Sequence, residues 1–380
     1  MQLTVCKRLD EVAAPAWNAL NPHGNPFLRH EFLCALERHG CLGPRYGWLP
    51  HHLLVHDDGG RLIGAAPLYA KTNSYGEFVF DWAWADAYAR EGLAYYPKLV
   101  GAAPYTPATG PRLLVHPEAA RGAVVDALID GALALARDLR ASSAHWLFTN
   151  RDDTEHLVAT RGFLPRLGCQ FHWENRGYSD FEAFLAALSA DKRKKLRRER
   201  RRVAEQGVEL TTLQGAQIEP EHWAVFHRFY TQTFDRKGGV PTLSRAFFEA
   251  VAHDMPEAVV LVLASFRGRY IAGALSFAGG GVLYGRHWGA EADFHSLHFE
   301  ACYYRGIDYC ISQGLQRFEP GAQGEHKVSR GFLPTRTWSA HWIAHPAFGH
   351  ALADYVQRER EAMEQYMAEL GRHSPYRQAD

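Results

Sequence analysis

The chain has no net charge, because 42 basic and 42 acidic residues cancel over 380 positions. Non-specific coating of DNA or RNA needs a net positive field, so that role is excluded for the surface as a whole. No apolar run approaches the roughly 18–20 residues of a membrane span. The opening MQLTVCKRLDEV lacks the charged start, apolar stretch and cleavage site of a secretory signal, so a cytoplasmic protein is expected. Cysteine is scarce: six residues, at 6, 34, 41, 169, 302 and 310, with no C-x-x-C pair. That excludes a disulfide framework and a zinc knuckle. Neither HHLLVH (51–56) nor HSLH (295–298) has ligand spacing, so no metal is expected.

What is present is a local excess of charge. Nine of the eleven residues from Lys192 to Arg202 are Lys or Arg. Leu185, Leu188, Leu196 and Val203 form a thin apolar seam, so part of this segment packs as a helix and the rest faces water or an anion. Arginine suits bidentate phosphate contact, which makes Arg193, Arg197 and Arg201 candidate anion ligands. A solvated connecting helix and a grip on tRNA are the other readings of the run.

The chain is also written twice. EHLVATRGFLPR (155–166) returns as EHKVSRGFLPT (325–335), and FHW (171–173) returns as AHW (340–342) in the same register. HLLVHDDGGRLIGAAPLYA (52–70) resembles VLVLASFRGRYIAGALSFA (260–278), each an apolar run, a Gly/Arg turn and a second apolar run, hence a β-hairpin. PFLRHEFLCALERHG (26–40) resembles PTLSRAFFEAVAHD (241–254), each a short amphipathic helix. Four matches in one order imply duplication. The expected domains are 1–178 and 179–380, the second opening with the basic helix and closing with an amphipathic one. Its core reads as a meander (258–266, 270–281 with a bulge at Gly273, 282–290), a helix over 294–314, a strand at 315–321, a helical turn and a last strand. Residues 71–114 are an insertion in the first copy, dense in aromatics and without clear periodicity, which reads as a loop. Asp81, Trp82, Trp84 and Tyr88, with Lys98, are its candidate substrate contacts, and its aromatics, Phe80 included, are expected to face the cleft between the copies.

A meander, a helix and a strand near a Gly-rich turn resemble the GNAT acyltransferase fold, and two in tandem resemble the Fem-type transferases. GEFVFDWAWADAY (76–88), YYPKL (95–99), FEPGAQGEHK (318–327) and SAHW (339–342) look like the FemAB-like predicted N-acyltransferases, loosely tied to peptidoglycan biosynthesis or recognition. The resemblance implies an α/β fold of tandem duplicated GNAT-like domains, with mixed, mostly antiparallel sheets. It implies transfer of an acyl or aminoacyl group to a small-molecule or peptide amine, in a site between the copies. The pyrophosphate-binding R/Q-x-x-G-x-G/A of acetyl-CoA users is approached only by Arg286-His-Trp-Gly289-Ala-Glu291, which departs at the last position. Acyl-CoA and aminoacyl-tRNA therefore both stand as donors, with tRNA a possible partner. A non-catalytic binder of a cell-wall precursor or peptide is the reading from another class.

Acyl transfer needs a neutral amine, donors for a tetrahedral oxyanion and a proton for the leaving group. Glu319, at a strand end before Pro320-Gly321, and Lys327, His298 and Glu300 are the candidate catalytic groups. Arg286, Gln323 and His326 are further candidate contacts. Aligning the two EH pairs sets Lys327 opposite Leu157, and matching Phe318 to Phe148 sets Glu319 opposite Thr149. The second copy is thus expected to be the active one, and Lys327 resembles the Fem-type lysine near the acceptor.

Overall fold

The strands of the computed structural model are β1 (Gln2–Cys6), β2 (Trp48–Pro50), β3 (His52–His56), β4 (Leu62–Ala66), β5 (Leu68–Lys71), β6 (Lys98–Gly101), β7 (Leu114–Val115), β8 (Ser143–Thr149), β9 (Leu164–Glu174), β10 (Val208–Gln214), β11 (Val259–Phe266), β12 (Arg269–Gly279), β13 (Val282–Ala290), β14 (Arg317–Glu319) and β15 (Leu333–Ile343). Residues 1–322 and 324–377 are described. Two units form. One holds Met1–Cys169 and Arg336–Tyr366, the other Gln170–Thr335 and the chain from Met367 onward.

Both hairpin signatures fold as hairpins. Leu53 pairs with Ala66 in β3–β4, and Val260 with Ser276 in β11–β12. The tight turn of the second is Arg267-Gly268, both at positive φ, the geometry whose twist matches that of paired strands. Bulges fall at Ala264/Ser265 and Leu275/Ser276, not at Gly273. Gly273 instead lies close under Phe226 and Leu263.

The two units repeat one strand order. In the first it runs β1, β3, β4, then β5, β6, β8 and β15. In the second it runs β10, β11, β12, β13, β14 and β9. Pro67 lacks an N–H and separates β4 from β5, whereas the counterpart β12 is continuous. The next-to-last strand-to-strand step is parallel in each case, β6 with β8 and β13 with β14, which requires a crossover. Helix Arg121–Asp138 supplies it in the first unit and the segment from Leu297 to Ser312 in the second. This is the duplicated GNAT-like architecture.

The final strand of each copy is exchanged. β15, written in the second copy, pairs with β8 of the first unit, Ala340 opposite Trp146. The end of β9, written in the first, pairs with β14, Phe318 opposite Trp173. The units therefore do not divide at 178/179. Residues 336–366, with most of helix Pro346–Arg372, belong to the first unit, where Leu352 and Val356 pack on Trp84 and Tyr88. The first core is the apolar face of Arg121–Asp138 (Val124, Val125, Leu128, Ile129, Ala132) against Leu53, Val55, Leu99 and Trp146.

Two expectations are corrected. The insertion at 71–114 is not a loop: it contains helix Trp82–Arg90 and strand β6. Its nine-residue helix, with aromatics at 82, 84 and 88, hides the helical period. The helix read over 294–314 is interrupted, because Glu300–Tyr304 is π-helical. Such a bulge often marks a functional position.

Candidate active site

In the second unit the Gly-rich turn after β14 leads into the helical turn Glu325–Arg330, closed by Gly331 at φ +99°. In the first copy β8 passes through the cap residue Asn150 straight into helix Arg151–Arg161, closed likewise by a glycine, Gly162 at φ +65°. Lys327 and Leu157 hold the same inward place, 2% and 0% exposed. The Lys327 Nζ donates to the Gly321 carbonyl at 2.8 Å. Burial lowers its pKa to about 8, and Cys302 is the charge partner that opposes the shift.

Around it stand three polar rings. His326 is exposed, and its Nε2 lies 3.0 Å from the Tyr303 hydroxyl. His298 packs edge-on to Tyr303 and Trp288. Burial, reinforced by His326, Lys327 and Arg330, lowers the His298 pKa to about 4, so this imidazole is neutral. Arg330 lies 3.4 Å over the Phe299 ring and holds Glu199 at 2.8 Å, and the Tyr304 hydroxyl donates to the same carboxylate. The π-helical stretch supplies Tyr303 and Tyr304 together, so adjacent residues serve the ring cluster and the Glu199 clamp.

The first unit holds a second buried polar centre. Lys71 on β5 and Lys98 on β6 sit directly opposite one another across the antiparallel pair. Lys98 Nζ donates to Ser74 Oγ (2.9 Å), Glu77 Oε2 (2.8 Å) and Asp81 Oδ2. One ammonium serves two carboxylates, and they split. Burial raises Glu77 to about 7 despite Lys98. Asp81, against the same burial, is held at about 2 by Lys98, His145 and hydrogen bonds from Lys98 and Ser74. Tyr95 donates to Asp81 at 2.5 Å, and beyond it His145 and His341 meet Nδ1 to Nδ1 at 2.6 Å. Burial lowers His145 to about 3, so it is neutral.

A family profile described as peptidoglycan biosynthesis/recognition, FemAB-like, matches residues 8–378. The chain belongs to the FemAB-like family. No curated protein matches it by sequence. Among solved structures it is similar to FemX (12% identity, 93% of this chain and 100% of that one, TM-score 0.55). It is similar to L-PGS from Bacillus licheniformis (11%, 89% and 96%, 0.53). A conserved protein of unknown function from Bacteroides thetaiotaomicron VPI-5482 also matches (12%, 90% and 99%, 0.52). At these identities the likeness is one of fold.

In this FemAB-like chain the residues singled out from sequence fall into three groups. Lys327, His298 and His326 come together with Tyr303. Glu319 is buried on β14, 3.9 Å from His172. Burial lowers His172 to about 3, so that contact is not an ion pair. Arg286 is half-buried on β13, where desolvation lowers it to about 10 and Glu319 is one of two groups opposing the shift. Glu300 turns away from His298 and pairs with Arg200 at 3.1 Å and Arg305 at 3.4 Å. Gln323 lies outside the described residues.

In the insertion, Asp81 and Lys98 form the buried centre, and Trp84 and Tyr88 are core residues of their own unit, each 2% exposed. Phe80 and Trp82 are exposed. Arg193, Arg197 and Arg201 share one face of helix Ala190–Glu205, but Arg197 pairs with Glu182 and Arg201 with Glu205 at the surface. Leu185 and Leu188 belong to the preceding helix and its cap, not to the basic helix. Arg286–Ala290 is strand, not a phosphate-binding turn, and a Cβ on Gly289 would stand 2.3 Å from the Phe229 carbonyl. That glycine admits helix Pro220–Lys237 to the sheet.

Sequence reasoning weighed Tyr303 but passed over Glu199, Arg330, Glu77, Tyr95, His145 and two buried histidines, His172 and His341. The repeat carried a signal for the last two, since FHW and AHW set those histidines at one offset. Glu199 was hidden by the basic run around it. Glu199→Gln keeps the shape and removes the charge facing Arg330. Unfolding in urea should show a loss of about 2 kcal/mol, the scale of a hydrogen bond to a charged group.

Proposed function

We propose that the chain is an aminoacyl transferase acting on a primary amine, with its reacting centre in the second unit around Lys327. The observation that carries this reading is the buried lysine where the duplicate has a buried leucine. Burying an ammonium costs several kcal/mol, and Leu157 demonstrates that the fold does not require it.

The step is attack of a neutral amine on the ester carbonyl carbon of an aminoacyl-tRNA. The C–N bond forms, the C–O bond to the ribose breaks, and the ribose hydroxyl leaves with a proton. Lys327, mostly an ammonium below pH 8, faces the developing oxyanion. Neutral His298 and the Tyr303–His326 pair give the amine's proton a path to the leaving oxygen. Two features favour this donor over acyl-CoA: the Arg286–Ala290 segment is strand, and the structures of similar fold include FemX and L-PGS. The acceptor class is a peptide or small cell-wall precursor, in keeping with the family's description, and a tRNA donor implies a cytoplasmic protein. The basic helix serves a phosphate of either substrate.

The test supplies mixed radiolabelled aminoacyl-tRNA, or acyl-CoA, with amine-bearing precursor peptides. Acid-stable label on peptide from the tRNA pool alone is expected. Label from acyl-CoA alone would reassign the donor. No product, with precursor retained in native mass spectra, would make the protein a binder.

A further inference from the structure

The four exposed aromatics among the large exposed hydrophobic side chains of the described residues are Tyr75 (69%), Phe78 (39%), Phe80 (56%) and Trp82 (40%), all within eight positions of the insertion. The rest of the aromatic complement is covered to a greater extent. From Thr72 to Ala85 the only charged side chains are Glu77 and Asp81, and both are buried on Lys98. The exposed positions there are Thr72, the four aromatics and Ala83. Acids point in and aromatics out, the reverse of an ordinary soluble loop.

The surface is preset. Lys71 Nζ donates to Asn73 Oδ1 and to the Tyr75 carbonyl, and Arg166 donates to the Phe80 carbonyl while paired with Glu359. Tyr75 and Trp82 already meet edge to face at 5.0 Å. Phe78 sits at φ +60°, a conformation that disfavours a bulky side chain. A strained, exposed phenyl serves nothing in this unit's core. Docking such a fixed patch orders few groups, so little entropy opposes it.

We propose that Tyr75, Phe78, Phe80 and Trp82 are a membrane-docking surface that enters the interfacial zone of a lipid bilayer. Amphipathic Trp and Tyr rings favour the headgroup level, and Phe the acyl boundary. A nucleotide or an acidic or basic peptide would need a charged handle, and this stretch exposes none. No helix among the described residues is long and apolar enough to cross a membrane, so the attachment is peripheral. The inference is independent of the chemistry assigned to the second unit.

The experiment is flotation of the full chain with phosphatidylcholine vesicles at 50 and 500 mM salt, beside the triple variant Tyr75→Ser/Phe80→Ser/Trp82→Gln. The wild type should float with zwitterionic vesicles nearly equally at both salts, and the variant, its melting temperature unchanged, should bind at least about tenfold more weakly. Binding only to anionic vesicles, abolished by salt and untouched in the variant, would assign attachment to the basic helix and overturn the proposal. Failure to float, or self-association lost in the variant without vesicle binding, would also overturn it.

Discussion

Lys327→Leu should slow aminoacyl transfer by about 10²–10³-fold while leaving the protein at least as stable at pH 7. The rate follows from what one preorganised donor at an oxyanion contributes, about 2.7–4 kcal/mol. The stability follows from linkage. The folded pKa of Lys327 is about 8 and its ordinary value is 10.5, so between those pH values the unfolded chain binds the extra proton and stability rises with pH. Below pH 8 the penalty is complete, on the order of 3 kcal/mol for a shift of this size. Leucine removes that penalty and loses one hydrogen bond to Gly321, and the first copy already packs leucine there. Wild-type stability should therefore climb from pH 8 to 10.5 and the variant's should climb less. Single-turnover rates with melts at pH 7 and 9.5 decide it. A variant that melts far below wild type makes Lys327 a strut for the Gly-rich turn, and an unchanged rate removes it from the reaction.

The duplication, the hairpins and the RGFLP elements were legible because each rests on local periodicity and turn chemistry, which the sequence carries twice. The exchange of β9 and β15 was not. Both strands read correctly as strands, but pairing partners distant in sequence leave no local mark. The same limit applied to the sites. Lys327 stood out because its duplicate is leucine, a comparison the sequence permits. Glu199 could not stand out, because in a helix of arginines an acid reads as surface compensation, and only tertiary packing shows that it is the buried member while Arg197 and Arg201 stay outside. The insertion was misjudged for a related reason. The sequence presents its aromatics as one set, yet Tyr75, Phe78, Phe80 and Trp82 are exposed, Trp84 and Tyr88 lie in the core, and the acids Glu77 and Asp81 between them are buried.

Those acids lead to the largest expected loss of stability. Lys98→Met should destabilise the protein by about 3–5 kcal/mol at pH 7, because it keeps the side-chain length and leaves buried carboxylates without their cation. Asp81 is hurt most. It is held near pKa 2 against its own burial chiefly by Lys98, so in the wild type its stabilisation is present above the ordinary carboxylate pKa and is lost as pH falls toward 2. Without Lys98 burial dominates and its folded pKa rises, reversing the sign. Glu77, already raised to about 7 with Lys98 in place, rises further. The variant's stability should then fall as pH rises from 4 to 7, and its deficit against wild type should be smaller at pH 5 than at pH 7.5. Urea titrations at the two pH values measure this. The segment from Asn73 to Asp81 is pinned through the same ammonium and through Lys71, so limited proteolysis should cut Lys98→Met first within that segment. A deficit that does not depend on pH would mean that packing around β6, not the unpaired carboxylates, carries the loss. Cleavage elsewhere would mean that Lys98 does not hold the aromatic surface in place.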